Sequence, residues 1–422
     1  MRWALLLAFM MPAFLSVNSA KQKKADKPKQ EKMATLYKNA RNALKNQSGQ
    51  DAARDALLGA LARPALKNRQ KAKIYYHAAL LEESLNGVEN RKAFLKQKYD
   101  TAVFFNKLRD MYERLRLCDS VDLAPDAKGR VRPHMQRRTR SLRLKHRRNI
   151  LGGGRFFLSK KDYASAYPFL DLYTTYSDEA AAASGQAVVD SVIPQAETWA
   201  TLSAFMVDNY GGTVRHADAA ISYANPSTAA ILHEYKVRSF AGLGNDSAWV
   251  ASLKQGVETY PNHDYFFVQL ADWYQGRRDF DAERRLADDL IARTGGKAIH
   301  YYAKSKSYLS EDRYDECVAC ADSAIALQAD CADAFYNKGI AFLNEAVISQ
   351  EMSCKDIKNP QYLADKERTQ GFYQQARPCM EMVRKLQPER QDRWASPLYR
   401  IYLNLNLGDE FVEIDKLLNA KK

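Results

Sequence analysis

The sequence predicts an all-α protein built as a helix-turn-helix repeat solenoid, with a further helical segment ahead of it. Three observations carry that expectation. Apolar residues recur at spacings of three and four through most of the chain, the pattern of helices that bury one face. Gly and Pro are scarce, 19 and 13 in 422 residues, which argues against all-β folds that need them at many tight turns. From residue 230 onward the pattern returns every 34 residues, and self-similarity at such a period marks stacked helical units. Hydrophobic residues make up 46% and charged residues 27%, so a core can form. The 24 tyrosines suit helix packing, with rings between helices and hydroxyls at the wet edge.

In chain order, Arg2 precedes an apolar run from Trp3 to Leu15 broken only by Pro12, and small residues follow at Ser16, Val17, Ser19 and Ala20. Residues 1–20 read as a cleavable signal peptide, because the run falls short of the roughly 20 residues a membrane span needs. A periplasmic or secreted mature chain without a transmembrane segment is therefore expected. Residues 21–32, KQKKADKPKQEK, form a charged tether that cannot bury enough apolar surface to fold. Residues 33–118 read as an N-terminal helical region. One helix groups Ile74, His77, Ala78 and Leu81 and ends at Gly87, and a second carries Phe94, Tyr99, Ala102, Phe105, Leu108 and Met111. Residues 119–146 read as a basic linker marked by Pro125, Gly129 and Pro133, with a second half able to form a helix. The net charge of +14 concentrates here, with ten basic and no acidic residues between Lys128 and Arg148. The solenoid is expected over 147–422.

The clearest unit is 298–331. Tyr301, Ser305 and Tyr308 line a first helix, Ser310–Arg313 turns, and Tyr314, Cys317, Ala321, Ala324 and Leu327 line a second. Small residues facing bulky ones let two helices approach to about 8–10 Å. The same pattern recurs over 264–297 with Phe267, Leu270, Ala271, Tyr274, Phe280, Ala287 and Leu290. It recurs again over 230–263 with Val237, Phe240, Trp249, Leu253, Gly256 and Pro261. A unit opening at 332 shows Phe335, Gly339 and Phe342, but its second helix resumes only at Tyr373, Ala376, Met380, Val383 and Leu386. An insertion at about 343–372 is expected between them. Earlier pairs, at 147–180 and from Trp199 to Tyr223, are looser, and helices over 394–420 would cap the stack.

The set Tyr301, Ser305, Tyr308, Tyr314, Cys317 and Ala324, with Pro261 and Pro388 closing units, resembles the tetratricopeptide repeat (TPR) family, here of an exported bacterial type. The resemblance spans 147–422 and reaches 33–118 only by analogy. It implies a superhelix whose first helices line a concave groove for a partner protein or peptide, acting as a scaffold or adaptor without catalysis or cofactor. It also implies which positions face that groove: Tyr265, Val268, Asp272, Ile299, Tyr302, Lys306, Leu309, Tyr336 and Ile340. The set is aromatic-rich and lacks the regular Lys/Asn pattern with which some family members clamp a C-terminal carboxylate.

Catalytic motifs are missing. Gly152-Gly153-Gly154 lacks a preceding strand and a following Lys-Ser/Thr, and reads as a pliable or closely packed helix segment. The seven histidines show no metal-ligand spacing on one helix face. No nucleophile elbow or HExxH occurs. Of six cysteines, Cys317 and Cys320 have redox-motif spacing but lie within a helix, so buried thiols are expected. Export permits disulfides, with Cys354–Cys379 the first pair to examine. A second functional reading assigns Arg137, Arg138, Arg140, Arg143, Lys145, Arg147 and Arg148 to an anionic envelope surface or acidic polymer. Nucleic acid is the poorer partner, because no aromatic residues interleave for base stacking.

Overall fold

The computed structural model describes residues 31–64, 66–126, 128–177 and 190–419. Among them lie eighteen α-helices and one short 3-10 turn, with no strand. The expected signal peptide at 1–20 and the tether up to residue 30 lie outside the described residues. The chain forms two compact units that divide between Lys145 and His146.

The first unit holds α1 (Met33–Asn46), α2 (Gln50–Gly59), α3 (Asn68–Phe94), α4 (Thr101–Asp122) and the opening turns of α5 (Gln136–Ser159). Leu36, Ala40, Leu57, Ile74 and Leu81 make its core. α3 does not stop at Gly87 as expected. A mid-helix Gly costs about 1 kcal/mol relative to Ala, but the buried residues around it hold the helix straight through. Asn86 Nδ2 donates to the Phe104 carbonyl at 2.7 Å. Glu89 accepts from the Asp100 amide at 2.7 Å and pairs with Lys92 at 2.6 Å. Asp100 then caps α4 by accepting from the Val103 amide at 3.0 Å. Phe94 and Tyr99 consequently fall outside α4, and Phe94 is 86% exposed, correcting its placement on the second helix.

Residues 119–146 are not a linker throughout. α4 continues to Asp122, the described residues at 123–126 and 128–135 are turns and irregular chain, and α5 begins at Gln136. Asp122 organises that start by accepting from the His134 and Met135 amides at 2.7 and 2.8 Å.

The second unit is a run of helical hairpins. α5 pairs with α6 (Tyr163–Thr175), where Phe157 stacks on Phe169 at a centroid distance of 5.6 Å. α7 (Ile193–Phe205) pairs with α8 (Tyr210–Tyr223), and α9 (Pro226–Gly242) with α10 (Asp246–Thr259). They are followed by α11 (Asp264–Gly276) with α12 (Phe280–Thr294), and α13 (Ala298–Ser310) with α14 (Tyr314–Leu327). α15 (Ala332–Met352) with α16 (Pro360–Leu386) and α17 (Gln391–Asn404) with α18 (Gly408–Asn419) complete it. First helices begin at 264, 298 and 332, and second helices at 246, 280 and 314, so the 34-residue period is structural. α9 opens at 226 rather than 230. Asn225 accepts from the Thr228 amide at 3.0 Å and Pro226 sits at the first helical position, where its missing N–H is harmless.

One turn conformation recurs inside the hairpins. Lys161, Asp208, Gly244, Arg278, Asp312 and Asn406 are all left-handed, with φ from 55° to 66°. After four of them comes a capping side chain: Asp162, Asn209, Asn245 and Asp279 accept from the amide three residues on, at 3.0–3.2 Å. A left-handed non-Gly residue costs about 1–2 kcal/mol and an Asn or Asp cap contributes about 1 kcal/mol. The turn is therefore nearly neutral on its own, and the packing of the two helices selects it.

The insertion at 343–372 is mostly helical, with only 353–359 non-helical. It lengthens both helices of one hairpin, α15 and α16, beyond the standard repeat. Leu343, Ala346 and Ser349 bury one face of the added part of α15, and the Ser349 and Thr369 hydroxyls meet across the pair at 2.8 Å. The Cys354 amide donates to Asp365 at 2.9 Å. Cys379 lies fourteen residues beyond Asp365 on α16, about 21 Å away at the helical rise. That distance removes the Cys354–Cys379 bridge, and all six cysteines are free thiols.

Candidate partner-binding face

Packing within the second unit decides which face is concave. α7 touches α9, α11 touches α13, α13 touches α15, and α15 touches α17, whereas second helices of successive pairs meet less. First helices thus crowd the inner side, and their outward positions line it.

Three columns run along this side at 34-residue steps. The first is Ile231, Tyr265, Ile299 and Asp333. The second is Glu234, Val268, Tyr302 and Tyr336. The third is Arg238, Asp272, Lys306 and Ile340. Of the expected groove residues, Tyr265, Val268 and Ile299 are half-buried against the core of Phe266, Phe267 and Leu270. Tyr302 leans on Ala298, Ala321 and Ala334, and burial pushes its hydroxyl up to about 12. Tyr336 and Ile340 pack on the core that includes Phe342 and Trp394. Leu309 is half-buried in the last turn of α13, outside the three columns. Asp272, exposed, pairs with Lys306 one repeat away at 3.1 Å.

The charged members were less visible in the sequence. Arg238 lies 5.1 Å from the Tyr265 ring centroid and pairs with Glu234 at 2.8 Å. Glu234 also meets His263 at 2.7 Å. Both Glu234 and Arg238 follow from subtracting 34 from Val268 and Asp272. Arg393 does not, because the lengthened hairpin breaks the register before α17. Its guanidinium pairs with Asp333 at 2.6 Å and stands 4.3 Å from the Tyr336 ring centroid. Beneath the Asp272–Lys306 pair, Glu283 is 1% exposed with Oε2 unpartnered. Burial pushes its carboxyl up to about 7, with Lys306 opposing that rise and Asp272 adding to it.

The basic positions expected to meet an anionic surface divide. Arg137, Arg138, Lys145 and Arg148 are exposed, and Arg140 is half-buried. Lys145 pairs with Glu83 at 2.6 Å. Arg143 is 3% exposed and pairs with Asp119 at 2.6 Å, so it belongs to the interior. Arg147 donates to the Tyr173 carbonyl at 2.9 Å, pairs with Asp190 at 3.0 Å and covers the Tyr173 ring. Arg143 and Arg147 are therefore structural, correcting their place in a surface set.

Elsewhere, His216 is held between Glu197 at 2.7 Å and Asp171 at 3.1 Å. Burial lowers its pKa, but hydrogen bonds to the two carboxylates more than offset this and the net change is upward. Sign matters for stability. A histidine whose folded pKa lies above its unfolded value stabilises fully below about pH 6.5, and loses that contribution as pH rises through the folded value. His216→Gln is expected to remove this part of the pH dependence, read as thermal midpoint against pH. Cys317 donates to the Asn337 carbonyl, and burial pushes its thiol up to about 12, the state of an unreactive core cysteine. Among the described residues no cluster of three or more metal-ligating side chains occurs, and no helix is long and apolar enough to cross a membrane.

No protein-family model matches the chain, and no curated protein does. Solved structures are similar to it in fold. The C-terminal part of a TPR repeat-containing protein from Cytophaga hutchinsonii shares 12% identity over 62% of this chain and 92% of its own, with a TM-score of 0.41. A TPR repeats protein from Bacteroides fragilis shares 14% over 64% and 98%, at 0.31. YrrB, a TPR protein with an unusual peptide-binding site, shares 16% over 44% and 88%, at 0.31. The assignment rests on the chain's own geometry. Hairpins that begin every 34 residues, with one shared turn conformation and first helices on the inner side, make this a TPR-like helical-repeat protein.

Proposed function

We propose that this protein is an exported scaffold that holds a segment of a partner protein along the first-helix face of its second unit, without catalysis. The observation that carries the reading is the three columns. Half-exposed Tyr265, Ile299, Tyr302, Tyr336 and Ile340 offer apolar area that the fold does not fully use. Arg238, Asp272, Lys306 and Arg393 set charge between them. Aromatic anchors framed by charges suit a mostly apolar helix or extended segment whose flanking charges fix its register. Export rests on the sequence of residues 1–20 and on the charged tether behind it.

The test is capture of partners from envelope extracts by the mature chain, followed by the double variant Tyr302→Ala/Tyr336→Ala. Loss of two aromatic anchors is expected to weaken capture by about 100-fold or more, with the helical circular dichroism unchanged. Undiminished capture would move the binding face elsewhere. Because the anchors are aromatic, raising ionic strength is expected to change capture little.

A further inference from the structure

A further cavity opens within the first unit. Asn68 ties the N-terminus of α3 to the loop after α4, its Nδ2 donating to the Ala124 and Pro125 carbonyls at 3.3 Å each. Between them opens a cavity of about 630 Å³, within the roughly 300–1,000 Å³ range of small-molecule sites. Five fixed cations line it, Lys67, Arg69, Lys128, Arg130 and Arg132, together with His134, against two carboxylates. Both carboxylates are already committed. Asp122 holds the His134 and Met135 amides. Asp126 accepts from the Lys128 and Arg130 amides and pairs with the Arg130 guanidinium at 3.2 Å. No ion pair reaches Lys67, Arg69, Lys128 or Arg132 among the described residues. The positive end of the 27-residue α3 points at the same cavity.

We propose that this cavity binds a compact, soluble polyanion carrying two or more phosphate or sulfate groups. One such group could engage only part of a ring of cations spread across the cavity, so the site favours clustered charge. Arg69 and Arg132 supply the paired N–H donors that match phosphate and sulfate oxygens. Concavity favours a small ligand over a bilayer, since a flat surface reaches only the rim. Lys67 and Arg69 lie far from the basic run along the chain, and the fold brings the two together.

The experiment uses the full mature chain and isothermal titration calorimetry with pyrophosphate, inositol hexakisphosphate and, as neutral control, inositol. Binding of both polyanions and not of inositol is expected. The double variant Arg69→Glu/Arg132→Glu is expected to weaken it at least about tenfold, as the loss of two charge-assisted hydrogen bonds implies. These side chains are exposed, and unchanged circular dichroism checks the fold. The reference variant Arg137→Glu/Arg148→Glu carries the same charge change on α5 outside the cavity, and should bind as the parent does. Equal weakening in both variants would overturn the proposal in favour of diffuse attraction by net charge. Absence of heat with either polyanion would overturn it outright. Co-sedimentation with phosphatidylglycerol vesicles that is lost in the cavity variant, without polyanion binding, would replace the soluble ligand with a membrane surface.

Discussion

Gly256→Ala is expected to destabilise the second unit by about 1–3 kcal/mol, the usual cost of forcing extra volume into a packed core. In an exposed helix the same change stabilises by about 1 kcal/mol, so the sign itself is informative. A Cβ at Gly256 would stand 2.4 Å from Cδ1 of Phe266. Phe266 is fully buried and cannot retreat. His233, His263, Tyr265 and Tyr260 surround it at centroid distances of 5.1–6.0 Å. Phe266→Ala alone is expected to cost about 3–5 kcal/mol. With that ring gone, Gly256→Ala should become neutral or mildly stabilising, because the clash has vanished while the gain in helix propensity remains. Urea midpoints followed by far-ultraviolet circular dichroism give the cycle. Equal cost of Gly256→Ala in both backgrounds would show that the α10–α11 contact is not what positions Phe266. Gly339 is a milder case, since its nearest neighbour is the flexible methyl end of Met380 at 2.7 Å.

The array was legible from the sequence because its hairpins start at a fixed 34-residue spacing. Gly256, Cys317 and Ala324 mark places where helices come close, but Leu290 and Glu283 stand one repeat from Gly256 and Cys317, so no single small residue per unit carries the period. The turn was also legible in part. Gly244-Asn245 and Arg278-Asp279 carry the cap that follows a left-handed residue, although Arg278 gives no sign of its own conformation. Three features stayed hidden for identifiable reasons. The helix through Gly87 depends on hydrogen bonds from Asn86 and Glu89 to residues 18 and 11 positions further along the chain, which no local pattern records. The insertion carries many charges and no match to the repeat, yet three buried positions on α15 hold its first part helical. Arg393 joins the repeat face only because the lengthened hairpin resets the register, so a fixed period could not locate it.

Glu283 was equally invisible, and its replacement has the other large expected effect. A Glu in the first turn of a second helix reads as solvent-facing, yet it lies under the Asp272–Lys306 pair with Oε2 unpartnered. Its folded pKa of about 7 stands above the ordinary glutamate value of 4.5. The stabilising contribution is therefore fully present below about pH 4.5 and is lost as pH rises through about 7. Above that, ionisation of the buried carboxyl costs up to ~3 kcal/mol, at about 1.4 kcal/mol for each tenfold change in its proton affinity. Glu283→Gln keeps the shape and removes the charge. It is expected to raise stability at about pH 8 by about 1–3 kcal/mol, less than the full figure because a buried amide also wants partners. Near pH 4.5 the two proteins should be close. The difference between parent and variant, taken across that range, isolates this carboxyl from every other titrating group. Lys306 gains an ally when Glu283 ionises, so the Asp272–Lys306 pair on the proposed partner-binding face should feel a second carboxylate at the same pH at which the core weakens. A difference that stays constant from about pH 4.5 to about pH 8 would mean that Glu283 titrates as an ordinary surface carboxyl and that the face and the core are not coupled through it.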